Sequence, residues 1–436
     1  MNKLSQIDKD PRSFWRKTAK RRDPFPTLGQ DVETTVLIVG GGFTGLSTAR
    51  DLLKRDVDCI VMEARDIGWG ASGRTGGFAV PRFKMNYSDL ARDFGEKTAL
   101  DLFGKAIEAV DSIAETVAEF DIDCGFQRDG HLTPAHTIKA LRGLKEDQAW
   151  LRDVAGDTAV RVLDAEETAD ALGSPVYRGA YLDPRAACLH PKDYTHGLAA
   201  ALASRGVRIF VDSPVKTLVR DDGRWLAQTP EGAVRARHVV LASNAYTTPL
   251  VEGSTLHRRI IPVSSSVITT RPLNDTERKM TLPIGLPVTD ARRLVRYFRM
   301  LPTGQLLFGG RGDITGRRKD EAAYRPLEQQ LAETFPHLAG IEIHERWSGK
   351  VAVTLDSFPH IGRLDEDVHY ALGYGGRGVA LSSIMGRRLA ERIAGDRTDM
   401  GPMEDAGFGS VPFHALRRTG MQMMARYYQL RDSFEQ

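Results

Sequence analysis

Three glycines, Gly40, Gly42 and Gly45, have the spacing of a turn that binds a dinucleotide. They follow the β-branched apolar run 36–39, which is typical of a buried strand, and they open a segment with helical spacing of apolar residues. In such a turn the first glycine permits the tight bend, the second lets a pyrophosphate approach the backbone, and the third lets helix and strand pack closely. Glu63 ends a second apolar run, where a carboxylate can accept hydrogen bonds from both ribose hydroxyls. The sequence therefore predicts a βαβ dinucleotide site, with a glycine turn that binds nothing as the less favoured alternative.

A second glycine motif, with Gly68, Gly70 and Gly73, lies in a predicted loop and precedes no helix, so it does not match the dinucleotide pattern. It nevertheless comes just after the ribose-binding acid, where the rest of a dinucleotide is expected to run. We expect Ser72 and nearby N–H groups to bind phosphate there, with Arg74 adding positive charge. A flexible loop without a ligand is the alternative.

A third motif, with Gly373, Gly375 and Gly378, lies between a predicted strand at 368–372 and a predicted helix from 379 to about 393. No further strand follows this helix, so the unit is not a second complete dinucleotide half. The helix N-terminus still offers N–H donors and a positive dipole end. These suit the N1–C2=O edge of a flavin ring, because that edge becomes anionic on reduction. Simple packing of the helix on the strand is the alternative.

Length and composition describe an ordinary globular chain. Its 436 residues suggest two or three domains, and 41% hydrophobic with 27% charged residues exclude a mainly disordered chain. A net charge of +3 is too even for a dedicated nucleic-acid binder, so we expect no nucleic-acid partner. Three well-separated cysteines predict neither a disulfide framework nor a metal site, and no apolar stretch has the length of a membrane-spanning helix. We expect a cytoplasmic protein without an integral membrane segment.

The order of the predicted elements indicates two interleaved domains. Parallel α/β elements come first, then helices, a meander and antiparallel strands, and finally α/β elements again. A nucleotide-binding domain assembled from separate stretches of the chain explains this order, with a mostly antiparallel domain built from the intervening pieces. We assign residues 1–33 to a solvated N-terminal arm with Trp15 as its packing anchor, 34–85, 174–250 and 340–400 to the nucleotide-binding domain, 86–173 and 251–339 to the substrate domain, and 401–436 to a C-terminal tail.

Several stretches carry a resemblance to a known family. In the first part of the chain they are residues 36–45, Met62-Glu63-Ala64 and residues 68–77, and in the last part they are residues 347–349, 356–362, 373–380 and 427–432. Together they resemble the D-amino-acid oxidase superfamily of FAD enzymes, and within it the γ-glutamylputrescine oxidoreductase group. The similarity extends over nearly the whole chain.

The resemblance implies a bilobed α/β fold, in which the antiparallel sheet of a substrate domain covers the flavin of a discontinuous, Rossmann-like FAD domain. It also implies oxidation of a C–N bond in an amine or amino acid. By analogy, the ADP part is held by Gly40, Gly42, Phe43, Thr44, Gly45, Glu63 and Ala64, and Val215 contacts the adenine through its backbone. Residues along the pyrophosphate and flavin are Gly70, Ala71, Ser72, Arg74, Thr75, Gly76 and Gly77. Gly376, Gly378 and Val379 face the pyrimidine edge of the flavin, beside Gly375.

Two departures from the superfamily refine this expectation. Sarcosine oxidases of the superfamily have a carboxylate-binding Lys where this chain has Ala380. They also attach FAD through a Cys three residues before a Thr, whereas Val351 precedes Thr354 at that spacing here. We therefore expect non-covalent FAD and a substrate other than sarcosine. Thr75 stands where the γ-glutamylputrescine oxidoreductase group usually has Asn.

Oxidation of an amine by a flavin needs little acid–base machinery: a hydride leaves the α C–H for flavin N5, and the resulting imine hydrolyses in water. The candidate catalytic residues are accordingly few. Arg296 and Tyr297 lie on a predicted substrate-domain strand, where Arg296 would bind a substrate carboxylate or, as an alternative, form a sheet ion pair. His360 and Arg377 flank the flavin motifs, and Tyr374 lies beside them. A structural histidine and a packing tyrosine are the alternatives at these positions.

The leading hypothesis is an FAD-dependent oxidoreductase that acts on a small-molecule amine or amino-acid derivative, such as a γ-glutamyl-polyamine, and returns electrons to oxygen or a quinone. An NAD-dependent dehydrogenase is an alternative, but it leaves the loop at 68–77 and the C-terminal glycine turn without a role. A non-catalytic flavin-binding scaffold is a third possibility.

Overall fold

The computed structural model describes residues 13–316, 318, 320–404 and 408–434. The first twelve residues of the expected N-terminal arm lie outside this part of the chain, as do most side chains of the tail motif at 427–432.

Eighteen strands are present in the described residues. In chain order they are β1 Val32–Val39, β2 Cys59–Met62, β3 Phe78–Ala79, β4 His131–Pro134, β5 Arg161–Leu163, β6 Ala180–Asp183, β7 Ala187–Cys188, β8 Arg208–Phe210, β9 Thr217–Asp221, β10 Arg224–Gln228, β11 Ala233–Leu241, β12 Ile261–Pro272, β13 Val288–Thr289, β14 Tyr297–Met300, β15 Gln305–Gly310, β16 Ile343–Val353, β17 His360–Asp365 and β18 Val368–Leu372.

The same part of the chain contains eleven α-helices. They are α1 Phe14–Thr18, α2 Phe43–Leu53, α3 Tyr87–Phe94, α4 Glu96–Glu119, α5 Ile138–Asp153, α6 Ala165–Leu172, α7 Pro191–Ser204, α8 Asp275–Met280, α9 Arg325–Thr334, α10 Gly378–Ile393 and α11 Arg417–Phe434. No helix among the described residues combines the length and the hydropathy needed to cross a membrane.

The first sheet has the strand order β17-β18-β11-β1-β2-β8, and the hairpin of β9 and β10 joins it at β11. Strands β18, β11, β1, β2 and β8 run parallel, whereas β17 is antiparallel to β18. Val39 of β1 pairs with Met62 on one side and Leu241 on the other, so three strands end at the same edge. The chain crosses from β1 to β2 on one side while β11 flanks β1 on the other, which creates the crevice where open α/β sheets bind ligands.

The second sheet has the order β16-β12-β15-β14-β13-β4-β6-β5 and is antiparallel except where β13 meets β4. A parallel sheet and a mostly antiparallel sheet in one chain confirm the predicted fold class. A short ladder of β3 and β7 forms a third, two-stranded sheet.

Alternation along the strands places different residues in different cores. In β1, Val36 and Ile38 belong to the core that contains the apolar faces of α2, α4, α7 and α10, whereas Leu37 and Val39 belong to the core on the opposite face of the sheet. In the second sheet, Phe298 and Phe308 pack with Leu327 and Phe335 from the α9 region. The other face of that sheet is thereby left to form the wall of the site described below.

The expected domain boundaries differ from the sheets in three places. Residues 343–353 form β16, which pairs with β12 of the second sheet although they were assigned to the nucleotide-binding domain. The same correction applies to 180–183, which form β6. Conversely, α4 packs in the core of the first sheet, although 96–119 were assigned to the substrate domain. An apolar pattern identifies a strand or helix but not its partner, since partners are distant in the sequence.

Candidate functional site

A cavity of about 1090 Å³ runs from the carboxyl ends of β1 and β2 to the exposed face of the second sheet. One end is lined by the glycine turn after β1 and by the residues after β2. The other end is lined by residues of β12, β14, β15 and β16, and the segment 411–425 closes part of the wall. The motifs that are far apart in the sequence therefore surround a single space.

The turn after β1 requires glycine at two positions. Gly40 has φ of 121°, and a Cβ there would lie 2.8 Å from the carbonyl oxygen of Ala242. A Cβ at Gly45 would lie 2.0 Å from the carbonyl oxygen of Gly40, closer than any real contact. Gly45 is thus the packing residue between α2 and the turn and does not itself line the cavity, whereas Gly40, Gly42, Phe43 and Thr44 do.

Glu63 closes the turn from the side of β2. Its Oε2 accepts a hydrogen bond of 2.8 Å from the Gly41 backbone N–H, and its Oε1 accepts one of 3.0 Å from the Arg65 N–H. Burial raises the pKa of Glu63, and these two bonds oppose that shift because they favour the carboxylate. Glu63 and Ala64 line the cavity, as does Val215 at the same end.

The N-terminus of α2 opens toward the cavity. Its N-cap is Gly42, which offers no side chain to the helix end. The Phe43 backbone N–H donates instead to Ser72 Oγ at 3.0 Å, and a Cβ at Gly42 would lie 2.8 Å from that oxygen. A helix N-terminus without a covering side chain can bind the phosphates of a dinucleotide through its N–H groups and its dipole.

The second glycine motif forms a loop that is held by two tryptophans. Trp347 Nε1 donates to the Arg74 carbonyl at 2.9 Å, and Trp15 Nε1 donates to the Thr75 carbonyl at 2.8 Å. Trp15 is 1% exposed, so the expected packing anchor of the N-terminal arm lies against the cofactor loop. Arg74 donates from Nε to the Trp69 carbonyl at 2.8 Å and from Nη1 to the Ser348 carbonyl at 3.1 Å. Its guanidinium therefore braces the loop.

Most residues of this loop line the cavity, namely Gly70, Ala71, Ser72, Arg74, Thr75 and Gly76. Gly77 does not. It has φ of 78°, accepts a hydrogen bond from the Leu189 N–H and leaves no space for a Cβ, which would meet the Leu189 carbonyl at 2.2 Å. Gly77 is thus required by the backbone of β3 and its surroundings, which corrects its assignment to the cofactor site.

The third glycine motif brings a second helix N-terminus to the cavity. Gly375, Gly376, Gly378 and Val379 all line it, and α10 begins at Gly378. The hydroxyls of Tyr374 and Thr44 share a hydrogen bond of 2.7 Å, which joins this motif to the start of α2. The two helix N-termini that were predicted from separate motifs are therefore linked by one buried contact.

Two of the five candidate catalytic residues lie outside the cavity. Arg296 donates to Thr334 Oγ1 at 3.1 Å and pairs with Glu333, so it faces α9, and the sheet ion pair is the correct alternative. His360 lies 2.8 Å from Asp356 Oδ2 and stacks on Phe408 with ring centroids 3.9 Å apart. It is a structural histidine, which corrects the prediction.

Tyr297, Tyr374 and Arg377 do line the cavity. Tyr297 follows Arg296 and therefore points to the opposite face of its strand. Its hydroxyl lies 3.1 Å from Ser265 Oγ, and its ring lies nearly perpendicular to that of Phe78, with centroids 6.0 Å apart. Burial raises the pKa of Tyr297 to about 12, so the phenol is neutral at physiological pH. It can position a substrate through its hydroxyl and its ring.

Sequence reasoning missed several residues of the substrate half of the cavity. Lys84, Arg311, Lys350 and Ser265 line it, but none of them lies in a recognisable motif. The first two carry charges that face the cavity from separate segments. Only the fold brings these segments together, so no spacing in the sequence marks them.

Gly309 makes room for Tyr297, and we predict that Gly309→Ala disturbs it. A Cβ at Gly309 would lie 2.1 Å from Cζ of Tyr297, so the ring must shift into the cavity. We expect overpacking to destabilise the protein by about 1–3 kcal/mol and flavin reduction by substrate to slow, as measured by thermal unfolding and stopped-flow absorbance.

The matched control for this change is Gly104→Ala. Gly104 lies within α4 with open space where its Cβ would be, so an alanine there should be neutral or stabilising. If Gly309→Ala matches Gly104→Ala in both stability and flavin reduction, Tyr297 does not depend on this space.

Comparison with known proteins agrees with this arrangement. Residues 35–392 match the family model DAO, described as FAD dependent oxidoreductase. The chain belongs to this family. The cofactor is therefore FAD, as predicted, and the NAD-dependent alternative is not supported. The chain is 34% identical over 424 residues to γ-glutamylputrescine oxidoreductase of Escherichia coli strain K12, covering 96% of this chain and 98% of that protein. It is 32% identical over 426 residues to a probable oxidoreductase, OrdL, of Haemophilus influenzae, covering 97% of both chains.

Solved structures share the fold of this DAO family member. Glycine oxidase from Geobacillus kaustophilus superposes with a TM-score of 0.73 at 22% identity, covering 85% of this chain and 98% of that one. L-amino acid deaminase from Proteus myxofaciens, in complex with anthranilate, superposes with a TM-score of 0.72 at 17% identity, covering 90% and 97%. The residues present fit a bound FAD, because the open α2 terminus, the glycine turn and the buried Glu63 line one end of a cavity with room for a large ligand.

Proposed function

We propose that this FAD-dependent oxidoreductase oxidises the C–N bond of an amine or amino-acid derivative. The observation that carries the proposal is the continuity of the cavity, which extends from Glu63 and the α2 terminus to the wall formed by Tyr297 on the second sheet. A small molecule at that wall lies at the far end of the same space that receives the dinucleotide. The E. coli relative, named for γ-glutamylputrescine, and a 24% identical relative named as a sarcosine oxidase subunit beta support an amine substrate.

Bound FAD would supply the two-electron acceptor for a hydride from the carbon next to the substrate nitrogen, leaving an imine that hydrolyses. The residues that would hold it are the turn at 40–45, Glu63, the loop at 70–76 and the turn at 375–379. The protein's own task is to orient the substrate, exclude water and select an amine that is not protonated. Apart from the Glu63 carboxylate, the charges that line the described cavity are positive, which disfavours an ammonium ion.

We further propose that FAD is bound without a covalent link. No Cys or His side chain lines the cavity among the described residues, and Val351 occupies the position of the attachment cysteine in sarcosine oxidases. All the flavin should therefore stay in the supernatant when the protein is precipitated with acid. Flavin that remains with the pellet would contradict this.

We propose the cytoplasm as the place of action, with oxygen or a quinone as the electron acceptor. Cys59, Cys124 and Cys188 are free, and burial raises the pKa of each thiol, which suits a reducing compartment. Reoxidation of the reduced enzyme by air and by a soluble quinone, followed at 450 nm, separates the two acceptors.

The decisive test of the proposed function is anaerobic reduction of the purified yellow protein by a panel of primary and secondary amines and amino acids. We expect at least one amine to bleach the flavin while the alcohol of the same carbon skeleton does not. If dithionite bleaches the flavin and no amine does, the protein is a flavin-binding scaffold and the proposal is wrong.

A further inference from the structure

Three cations stand in the substrate half of the cavity without a carboxylate partner. Lys84, Arg311 and Arg377 line the cavity, and their side chains make no ion pair within the described residues. The only carboxylate that lines the cavity in this part of the chain is Glu63, which belongs to the dinucleotide end. Arginine and lysine are seldom buried without a partner, so these residues point to an anionic ligand.

Lys84 and Arg377 form one of two positive positions. Each is close enough to another positive side chain for repulsion to act on it: Arg377 on Lys84, and Arg82 on Arg377. Arg82 is neutralised by Asp147 at 2.8 Å, whereas no acid faces the other two. Burial lowers the pKa of Arg377 to about 10 and also lowers that of Lys84, which shows the energetic cost of holding both charges here.

His131 adds no further charge to this position. Burial, together with the nearby Arg377, lowers its pKa well below the usual value, and its Nε2 lies 3.0 Å from Thr289 Oγ1. The Phe78 ring lies 6.1 Å from the His131 ring and 6.0 Å from the Tyr297 ring. Phe78 therefore separates the position of Lys84 and Arg377 from Tyr297.

Arg311 is the second positive position. It follows Gly310, the last residue of β15, and β15 pairs with the strand of Tyr297 through Gly309. Gln330 Nε2 donates to the Arg311 carbonyl at 3.1 Å, which fixes its backbone against α9. Burial alone lowers the pKa of Arg311, with no acid opposing the shift. The two positive positions thus lie on different elements, with Tyr297 and Phe78 between them.

From this arrangement we infer that the substrate is an amine with a carboxylate on each side of the reacting nitrogen and with no second cationic group. One carboxylate binds Lys84 and Arg377, and the other binds Arg311. The inference rests on the proposed function, since it names the substrate class of the same site. It disfavours polyamine conjugates, because an additional ammonium group would enter a cavity whose substrate half offers three positive charges and no acid.

The test uses the holoenzyme and thiodiacetate, which has two carboxylates but a sulfur in place of the amine and so has no C–N bond to oxidise. Isothermal titration calorimetry gives its Kd, with (methylthio)acetate as the monocarboxylate and 2-(methylthio)ethylamine as the cation. We expect thiodiacetate to bind at least about tenfold more tightly than (methylthio)acetate and the amine to bind most weakly, because a charge-assisted hydrogen bond contributes about a factor of ten or more. Equal affinity for the two anions would overturn the inference.

Variants assign the two positions. Lys84→Gln should weaken binding of both anions, whereas Arg311→Gln should weaken only thiodiacetate, each by about tenfold to a hundredfold. Lys279→Gln, on the exposed surface of α8, is the matched control and should change neither Kd. If Lys84→Gln purifies without FAD, Lys84→Arg keeps the positive charge and should retain the wild-type Kd. Unchanged thiodiacetate affinity in Lys84→Gln and Arg311→Gln contradicts the proposal.

Arg377→Gln distinguishes a substrate role from a cofactor role. We expect a higher Kd for thiodiacetate; a change in flavin reduction potential with unchanged Kd would mean that this cation serves the cofactor and would overturn its assignment. Anaerobic bleaching by iminodiacetate, compared with putrescine, then tests the substrate class directly. Because thiodiacetate binding requires no turnover, the inference and the proposed function can fail separately.

Discussion

Replacement of Glu63 by alanine is expected to yield protein that purifies with little FAD. The side chain lies at the end of β2 and lines the cavity, where a carboxylate can accept two hydrogen bonds from a ribose. Two hydrogen bonds to a charged acceptor contribute about 3 kcal/mol together, so the Kd for FAD should rise by about a hundredfold or more. The ratio of absorbance at 450 nm to that at 280 nm, and calorimetric titration of the apoprotein with FAD, measure the loss.

The control for this change is Glu33→Ala, which removes a glutamate from the exposed part of β1, where it pairs with Arg224. That variant should retain FAD fully. Glu63→Gln should be intermediate, because an amide oxygen still accepts a hydrogen bond but carries no charge. Wild-type FAD content in Glu63→Ala would contradict the assignment of the ribose to this residue.

The pKa of Glu63 gives the same prediction a pH dependence. Burial raises this pKa above the ordinary value of 4.5, and a bound ribose favours the carboxylate over the protonated form. Acid should therefore release FAD from the wild type as pH falls through the raised pKa, at a higher pH than an ordinary glutamate would allow. Glu63→Gln should lack this transition.

The dinucleotide end of the site could be predicted from the sequence because its determinants are local. The strand, the turn at Gly40 and Gly45, the helix and the acid at Glu63 lie within 32 consecutive residues, 32–63, and each has its own pattern. A positive φ at Gly40 and a close approach at Gly45 leave little alternative to glycine, so the motif is almost a direct record of the backbone. The loop at 70–76 and the turn at 375–379 were also placed correctly at one cavity, but through the family resemblance.

The substrate end could not be predicted in the same way. Arg296 and Tyr297 are adjacent on one strand, and which of them faces the cavity depends on which face α9 covers. That helix begins 29 residues after Arg296, and nothing near Arg296 indicates the side on which it packs. Lys84 and Arg311 likewise face one cavity from segments more than 200 residues apart, and a single basic residue has no local pattern.

The sheet to which a strand belongs has the same non-local origin. Residues 343–353 alternate in burial as any half-exposed strand does, yet their partner is β12, some 80 residues earlier. The flanking motifs at 356–362 and 373–380 belong to the first sheet, which led the sequence analysis to include β16 with them. The chain changes sheets between β16 and β17, and the pattern of apolar residues gives no sign of it.

Substitution at Gly45 is expected to have the largest effect on the fold itself, and Gly45→Ala suffices to test it. The added Cβ would lie 2.0 Å from the Gly40 carbonyl oxygen and 3.1 Å from Ile38 Cγ2, and the first of these is a backbone atom that cannot rotate away. Helix α2 must then move away from β1, which also displaces the N–H groups that face the cavity. We expect the apoprotein to lose about 3 kcal/mol of its free energy of unfolding or more, the upper end of what overpacking costs, and FAD binding to be lost with it.

Gly29→Ala is the matched control, because Gly29 has neither a positive φ nor any atom within 4 Å of where its Cβ would be, and its unfolding and FAD content should stay unchanged. The comparison with Glu63→Ala separates two kinds of contribution at one site. Gly45→Ala should lower the thermal midpoint of the apoprotein more than Glu63→Ala does, because Gly45 contacts only protein, whereas Glu63 also serves the ligand. An apoprotein that melts at the wild-type temperature after Gly45→Ala would show that α2 can leave β1 without cost, and the close packing of this turn would then not be what holds the dinucleotide site in place.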